Sequence, residues 1–200
     1  MVRIVLASSN KGKILEIQQL LAPFDVQIIP QTELGLEDVE ETGLTFVENA
    51  ILKARHAALH ANLPAIADDS GLEVDALQGA PGVFSARYAG KGASNETRLE
   101  KLLHALKEIP AGQRGARFQS VMVYLKHPQD PSPIICQGTW EGEILFAPQG
   151  TQGFGYDPIF YVPAYHCSAA ELAPEIKNQI SHRGQSLRQL ITALRLLSKP

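Results

Sequence analysis

Residues 117–143, RFQSVMVYLKHPQDPSPIICQGTWEGE, decide the fold class. Arg117 to Leu125 and Pro133 to Glu143 are β-rich runs separated by a proline-rich turn, which predicts one long hairpin. A hairpin is antiparallel by construction, whereas purely parallel sheets are joined by helical crossovers. Any strand–helix alternation outside this segment therefore predicts a mixed α/β domain, not a doubly wound parallel one.

That alternation is present on the N-terminal side. Val2 to Ala7 is apolar except for Arg3, and a polar Ser-Ser-Asn turn follows it. Ile14, Ile17, Leu20 and Leu21 then recur at helical spacing, and Val26 to Pro30 reads as a second strand. Thr45 with Glu48 three residues on is a capping box, and Ala50, Ala54, Ala57 and Ala58 continue an apolar helix face behind it. Pro64 to Ala67 is a short buried-strand signal running into Asp68 and Asp69, which are expected where that strand ends, before a Ser-Gly turn. Leu99, Leu102, Leu103 and Leu106 mark a surface helix with one buried face. Past the hairpin, glycines crowd residues 150–155, and Leu187, Leu190, Ile191, Leu194 and Leu197 predict a closing amphipathic helix. No internal repeat, low-complexity tract or linker interrupts the chain, so residues 1–200 are expected to form a single domain, with the second half a candidate lobe of its own.

Composition excludes several classes. The chain is 44% apolar and 20% charged, with a formal net charge of -3, which is ordinary globular usage. Its charges are interspersed and no basic run offers a footprint for a phosphate backbone, so no nucleic-acid polymer is expected as partner. No apolar stretch is long enough for a membrane span, and the apolar run that breaks at Ser8 lacks the pattern of a signal peptide. Cys136 and Cys167 have no CxxC spacing and are expected to be reduced thiols of a cytoplasmic protein.

Five segments carry chemistry. Ser8, Ser9, Asn10, Lys11, Gly12 and Lys13 lie between a strand and a helix start, where unpaired N–H groups and the helix dipole attract anions. The same residues also suit plain helix capping. Glu40 and Glu41 precede the capped helix that carries Lys53, and carboxylates with lysines are what a Mg²⁺-triphosphate requires, although each is ordinary on a solvated surface. Asp68 and Asp69, followed by Ser70, offer hard oxygens to Mg²⁺ or, alternatively, an Asx-turn to the backbone. Gly79, Pro81 and Gly82 predict a tight turn ahead of Arg87, a side chain able to reach a phosphate or an ion-pair partner. Phe154, with glycine on both sides, is either a stacking platform for a flat ligand or a buried ring, and Gly155, Tyr156 and Asp157 follow it. Lys177, Ser181, His182 and Arg183 precede the last helix.

In this order, EETGLTFVENAILKA, ADDSGLEVDALQGAPGVFSARYAG, FGYDPIF and SHRGQ resemble the inosine triphosphate pyrophosphatase family over nearly the whole chain. The resemblance implies an elongated mixed sheet flanked by helices, in two lobes with an active-site cleft between them. It implies hydrolysis of non-standard purine nucleotides (ITP, dITP, XTP) to monophosphate and pyrophosphate, with Mg²⁺ as cofactor and a homodimer as assembly. Ser8, Ser9, Asn10, Lys11, Gly12 and Lys13 would then hold the triphosphate with help from Lys53, Ser70 and Arg87. Glu40, with Glu41 as its rival, and Asp69 would bind the metal, and Asp69 would also be the catalytic base. Phe154, Gly155, Tyr156, Asp157, Lys177, His182 and Arg183 would line the base and sugar pocket. Ser9 departs from the family, many of whose members have glycine there. The rivals are a pyrophosphatase for pyrimidine or modified nucleotides, and a nucleotide-binding sensor that does not hydrolyse.

Overall fold

The computed structural model describes residues 2–24 and 26–197. Seven strands, β1 (Val2–Leu6), β2 (Val26–Pro30), β3 (Ala65–Val74), β4 (Gly115–Leu125), β5 (Ile134–Ile144), β6 (Phe160–Val162) and β7 (Cys167–Ser168), form one sheet in the order β2-β1-β3-β4-β5-β6-β7. β1 pairs parallel with β2 and β3, whereas β6 pairs antiparallel with β5 and β7. The sheet is therefore mixed, and β4 and β5 are sequence neighbours side by side, as the hairpin reading requires. Asp130 shapes their connection by accepting from the backbone N–H groups of Lys126 and Ser132.

The helices are α1 (Lys11–Leu21), α2 (Phe46–Ala61), α3 (Asn95–Ala105), α4 (Pro174–Ile180) and α5 (His182–Leu197). α1 starts at Asn10, whose side chain accepts from the Lys13 N–H. α2 starts at Thr45, and the full capping box with Glu48 is formed. Small side chains decide how α2 packs: Ala50, Ala54, Ala57 and Ala58 are fully buried against Val5, Ala65, Ala67, Val121 and Val123. Alanines on both surfaces let the helix backbone lie close to the strands, and Phe46, Val47 and Ile51 pack at the edge of this contact. Leu187 and Leu190 of α5 are fully buried with Ile4, Leu6, Ile17, Ile66 and Met122. The Leu197 side chain lies outside the described residues.

The chain divides into two compact units that interleave along the sequence. The first comprises Met1–Asp69, Ser120–Gly138 and Arg183–Pro200, and the second Ser70–Gln119 and Thr139–His182. The second half of the chain is thus not a unit by itself, because β3, β4 and β5 each carry residues of both units. The second unit has its own core, in which Leu72, Leu102, Leu106, Ile159 and Phe160 are fully buried around Phe118 and Trp140.

One local expectation is corrected. Asp68 and Asp69 do not end a strand, and no Ser-Gly turn follows them, because β3 runs unbroken through Asp68, Asp69, Ser70 and Gly71 to Val74. Aspartate, serine and glycine are poor strand formers, but β3 lies between β1 and β4, and pairing on both sides overrides local preference.

Candidate active site

Burying two adjacent aspartates in a central strand requires compensation for each, and strand geometry separates the tasks. Successive side chains of a strand point to opposite faces. Asp68 meets Lys13 Nζ at 2.8 Å, accepts from Ser120 Oγ at 2.7 Å, and lies 3.5 Å from Arg183 Nε. Asp69 meets Lys53 Nζ at 2.6 Å. Lys53 also donates to Glu41 Oε1 and to the Asp68 carbonyl, each at 2.9 Å. All of these groups belong to the first unit.

The electrostatics differ between the two carboxyls. Burial alone would raise the Asp68 pKa, but Lys13 and Arg183 outweigh it and hold the group well below the usual carboxylate range. At Asp69 burial prevails over Lys53 and Lys13, and the carboxyl is raised above its ordinary value. Lys53 is raised as well, since Asp69 and Glu41 outweigh the burial that opposes its charge. Asp68 is therefore a permanently ionised anchor for cations, and Asp69 is the more basic carboxylate of the two. A raised pKa in a charged cluster is a property expected of an acid–base group.

The donor set fits a hard divalent cation. Asp69 and Glu41 already present carboxylate oxygens to a single cation, the Lys53 ammonium. Among the described residues no group of three or more His, Cys, Asp or Glu side chains forms a metal cage. Mg²⁺ commonly uses one or two carboxylates together with substrate phosphates, so two suffice. Of the rival glutamates, Glu41 is the one joined to Asp69 through Lys53, while Glu40 is exposed.

In the second unit, Asp157 organises the glycine-rich loop. Its Oδ2 accepts from Phe154 N–H at 2.8 Å and from Lys177 Nζ at 2.7 Å, and Lys177 Nζ lies 5.1 Å from the Phe154 ring centroid. Gly153 makes this possible: at φ +74 it has a conformation that favours glycine, and a Cβ there would stand 2.1 Å from Asp157 Oδ2. Tyr156 is buried, and its hydroxyl donates to the Ser85 carbonyl at 2.9 Å. Burial raises its pKa far above the ordinary phenol.

A model of the Ham1 family matches residues 4–193. The chain belongs to the Ham1 family. It is 59% identical over 195 residues to the dITP/XTP pyrophosphatase of Yersinia pseudotuberculosis, covering 98% of this chain and 99% of that protein. Identity to the protein of the same name from Escherichia coli K12 is 57%, at the same coverage. A solved HAM1 protein of Coxiella burnetii superposes with a TM-score of 0.90 at 56% identity, covering 98% of this chain and 99% of that one. The solved nucleoside-triphosphatase, a dITP/XTP pyrophosphatase, of Mycobacterium abscessus gives 0.76 at 40%, with 94% and 98% covered. The resemblance read in the sequence and the mixed α/β class are both borne out.

Within this Ham1 chain the expected site residues separate into groups. Lys53 meets Asp69 and Lys13 meets the adjacent Asp68, with Ser8 buried in the loop before α1. Asn10 is the helix cap, Ser9 donates to Asp38, and Lys11 is exposed at the first turn of α1. Gly12 follows it in that turn, half-buried. Arg87 ends the 3-10 helix Gly82–Arg87 with its guanidinium 5.0 Å from the Phe84 ring centroid. Ser70 is half-buried in β3. Phe154, Gly155, Tyr156, Asp157 and Lys177 share one loop-and-helix assembly of the second unit.

His182 stacks on Phe118 with ring centroids 4.8 Å apart and planes 13° from parallel. Arg183 is 2% exposed and pairs with Glu16 and Asp68, so its guanidinium braces the start of α5 in the first unit. Sequence reading missed the anchoring role of Asp68, its partner Ser120 with the Ser186 hydroxyl behind it, and Glu16 as a partner of Arg183. It also missed the Phe118–Trp140–His182 ring stack. The only signal was the alternation within 117–143, which places Phe118, Ser120 and Met122 on one strand face but does not name what they meet.

Proposed function

We propose that this chain is a nucleoside triphosphate pyrophosphatase that converts ITP, dITP and XTP into the monophosphate and pyrophosphate. The observation that carries the reading is the Asp69–Lys53–Glu41 cluster, with Lys13 anchored on the adjacent Asp68. It combines the carboxylates of Asp69 and Glu41 with Lys53 of α2 and with Lys13 in the first turn of α1. That is a donor set for a metal-bound polyphosphate rather than for a neutral ligand. The names of the relatives supply the purine class.

Asp69 and one of the two adjacent glutamates, with Glu41 favoured over Glu40 by position, would hold Mg²⁺, which would neutralise phosphate charge and acidify water when bound. Asp69 orients the attacking water and accepts its proton, a task suited to a carboxyl raised above its ordinary value. Lys13 and Lys53 stabilise the charge that grows on the leaving pyrophosphate. Ser8, Ser9, Asn10, Lys11 and Gly12 bring backbone N–H groups and hydroxyls to the phosphates at the N-terminus of α1, assisted by Ser70 and Arg87. Phe154, Gly155, Tyr156 and Asp157, with Lys177, His182 and Arg183, are the proposed base and sugar contacts. Hypoxanthine and xanthine present a C6 carbonyl where adenine presents an amino group, so donors in the pocket select them. Each mispaired buried group costs about 1–3 kcal/mol.

We assign the chain to a reducing compartment, the cytoplasm, on its two free thiols Cys136 and Cys167, and we propose a homodimer from the family resemblance. No helix is long and apolar enough to cross a membrane among the described residues. Incubation with dITP, XTP, GTP, ATP, CTP and UTP in Mg²⁺, followed by product identification, tests the activity. Pyrophosphate from dITP and XTP, abolished by EDTA and restored by Mg²⁺, is expected. Orthophosphate as sole product, binding without turnover, or a preference for pyrimidine nucleotides overturns the reading.

A further inference from the structure

His56 and His60 lie on α2 at positions i and i+4, which places both imidazoles on one helix face. Their ring centroids are 4.5 Å apart, with the planes tilted by 54°. Fully buried Ala57 and Ala58 between them fasten the helix to the sheet and fix which way the pair faces. His60 is exposed and His56 half-buried. Neither imidazole hydrogen-bonds or ion-pairs with a side chain or backbone group among the described residues. Two nitrogens sharing one ion at about 2.0–2.1 Å stand roughly 3.3 Å apart, a spacing that rings in this relation reach by rotating about their side-chain bonds.

We infer that His56 and His60 form a chelating site for a borderline transition-metal cation, Zn²⁺, Ni²⁺ or Cu²⁺, separate from the carboxylate–lysine cluster. Imidazole selects these ions, while Mg²⁺ requires oxygen donors, so the two sites discriminate by ligand chemistry. No third His, Cys, Asp or Glu completes a cage among the described residues, which leaves water in the remaining positions and makes binding reversible. Burial and the neighbouring His60 push the His56 imidazole below its ordinary value against the pull of Asp38, which favours the neutral, coordinating form. The order of affinity follows intrinsic imidazole preference, with Cu²⁺ above Ni²⁺ and Zn²⁺, and Mg²⁺ failing to compete.

The test uses the full chain labelled with ¹⁵N. On titration with Zn²⁺, the imidazole resonances of His56 and His60 should move together, while those of His104, His127, His166 and His182 stay in place. By calorimetry, His56→Gln and His60→Gln should each weaken Zn²⁺ binding by roughly tenfold or more. Excess Mg²⁺ should displace nothing. Shifts centred on other histidines, equal affinity in wild type and both variants, or no saturable binding overturns the proposal. The resonance measurement needs no substitution, so it decides the matter even if a variant folds poorly.

Discussion

Asp68 and Asp69 are consecutive residues of one strand that hold different lysines, Lys13 at 2.8 Å and Lys53 at 2.6 Å. Removing charge from each should therefore have different consequences. Asp69→Asn keeps the volume and leaves Asp68 with its partners, so the protein should fold while kcat for dITP falls by about 10²-fold or more, the scale for a positioned acid–base group. Pyrophosphate release by a folded, near-fully active variant would remove Asp69 from the chemistry.

Arg183 serves the other carboxylate. Its guanidinium is buried between Glu16 and Asp68, and truncation leaves those acids without one of their cations. Arg183→Met should lower unfolding stability by about 3–5 kcal/mol, the usual scale for breaking a buried pair. Urea denaturation checks this, and an unchanged midpoint would mean that the Arg183 guanidinium does not brace α5.

Gly153→Ala places a methyl where Asp157 Oδ2 stands and forces a side chain into a positive-φ conformation. The Asp157 contacts to Phe154 N–H and Lys177 should be lost together, with a destabilisation above about 1 kcal/mol and a rise in KM larger than the fall in kcat. Thermal unfolding and steady-state kinetics read the two effects. A variant with wild-type KM would show that the loop does not contact substrate.

Asp130 gives stability a defined acid limb. Backbone N–H groups of Lys126 and Ser132 hold its carboxylate below the ordinary value. A depressed folded-state pKa adds stability that is complete above the unfolded value near about 3.9 and disappears as pH falls through the folded one. Asp130→Asn should therefore narrow the difference between urea midpoints at neutral pH and at acid pH. Parallel acid profiles for variant and wild type would show that the turn does not depend on this charge.

Periodicity and capping make most elements legible in the sequence alone. Val26–Pro30 is a strand with the expected ends, and the Thr45–Glu48 box opens α2 as its spacing requires. Lys53, by contrast, reads in one dimension as an ordinary surface lysine. Its partners Glu41 and Asp69 are 12 and 16 residues away in sequence, so no local pattern reports the pairing. Arg183 and Asp68 are 115 residues apart, beyond the reach of any periodicity.

What the amino-acid order determined by itself was the mixed α/β class, the helix starts, the glycine-dependent loop and the family, because these rest on local sterics, hydrogen bonding and motif spacing. Only the tertiary structure decided that β3 continues through the aspartate pair, that each aspartate has its own cation, and that Glu41 is the glutamate joined to Asp69. Burial and pairing of charge depend on which distant segments meet, and a strand flanked on both sides overrides the weak preferences of its own residues.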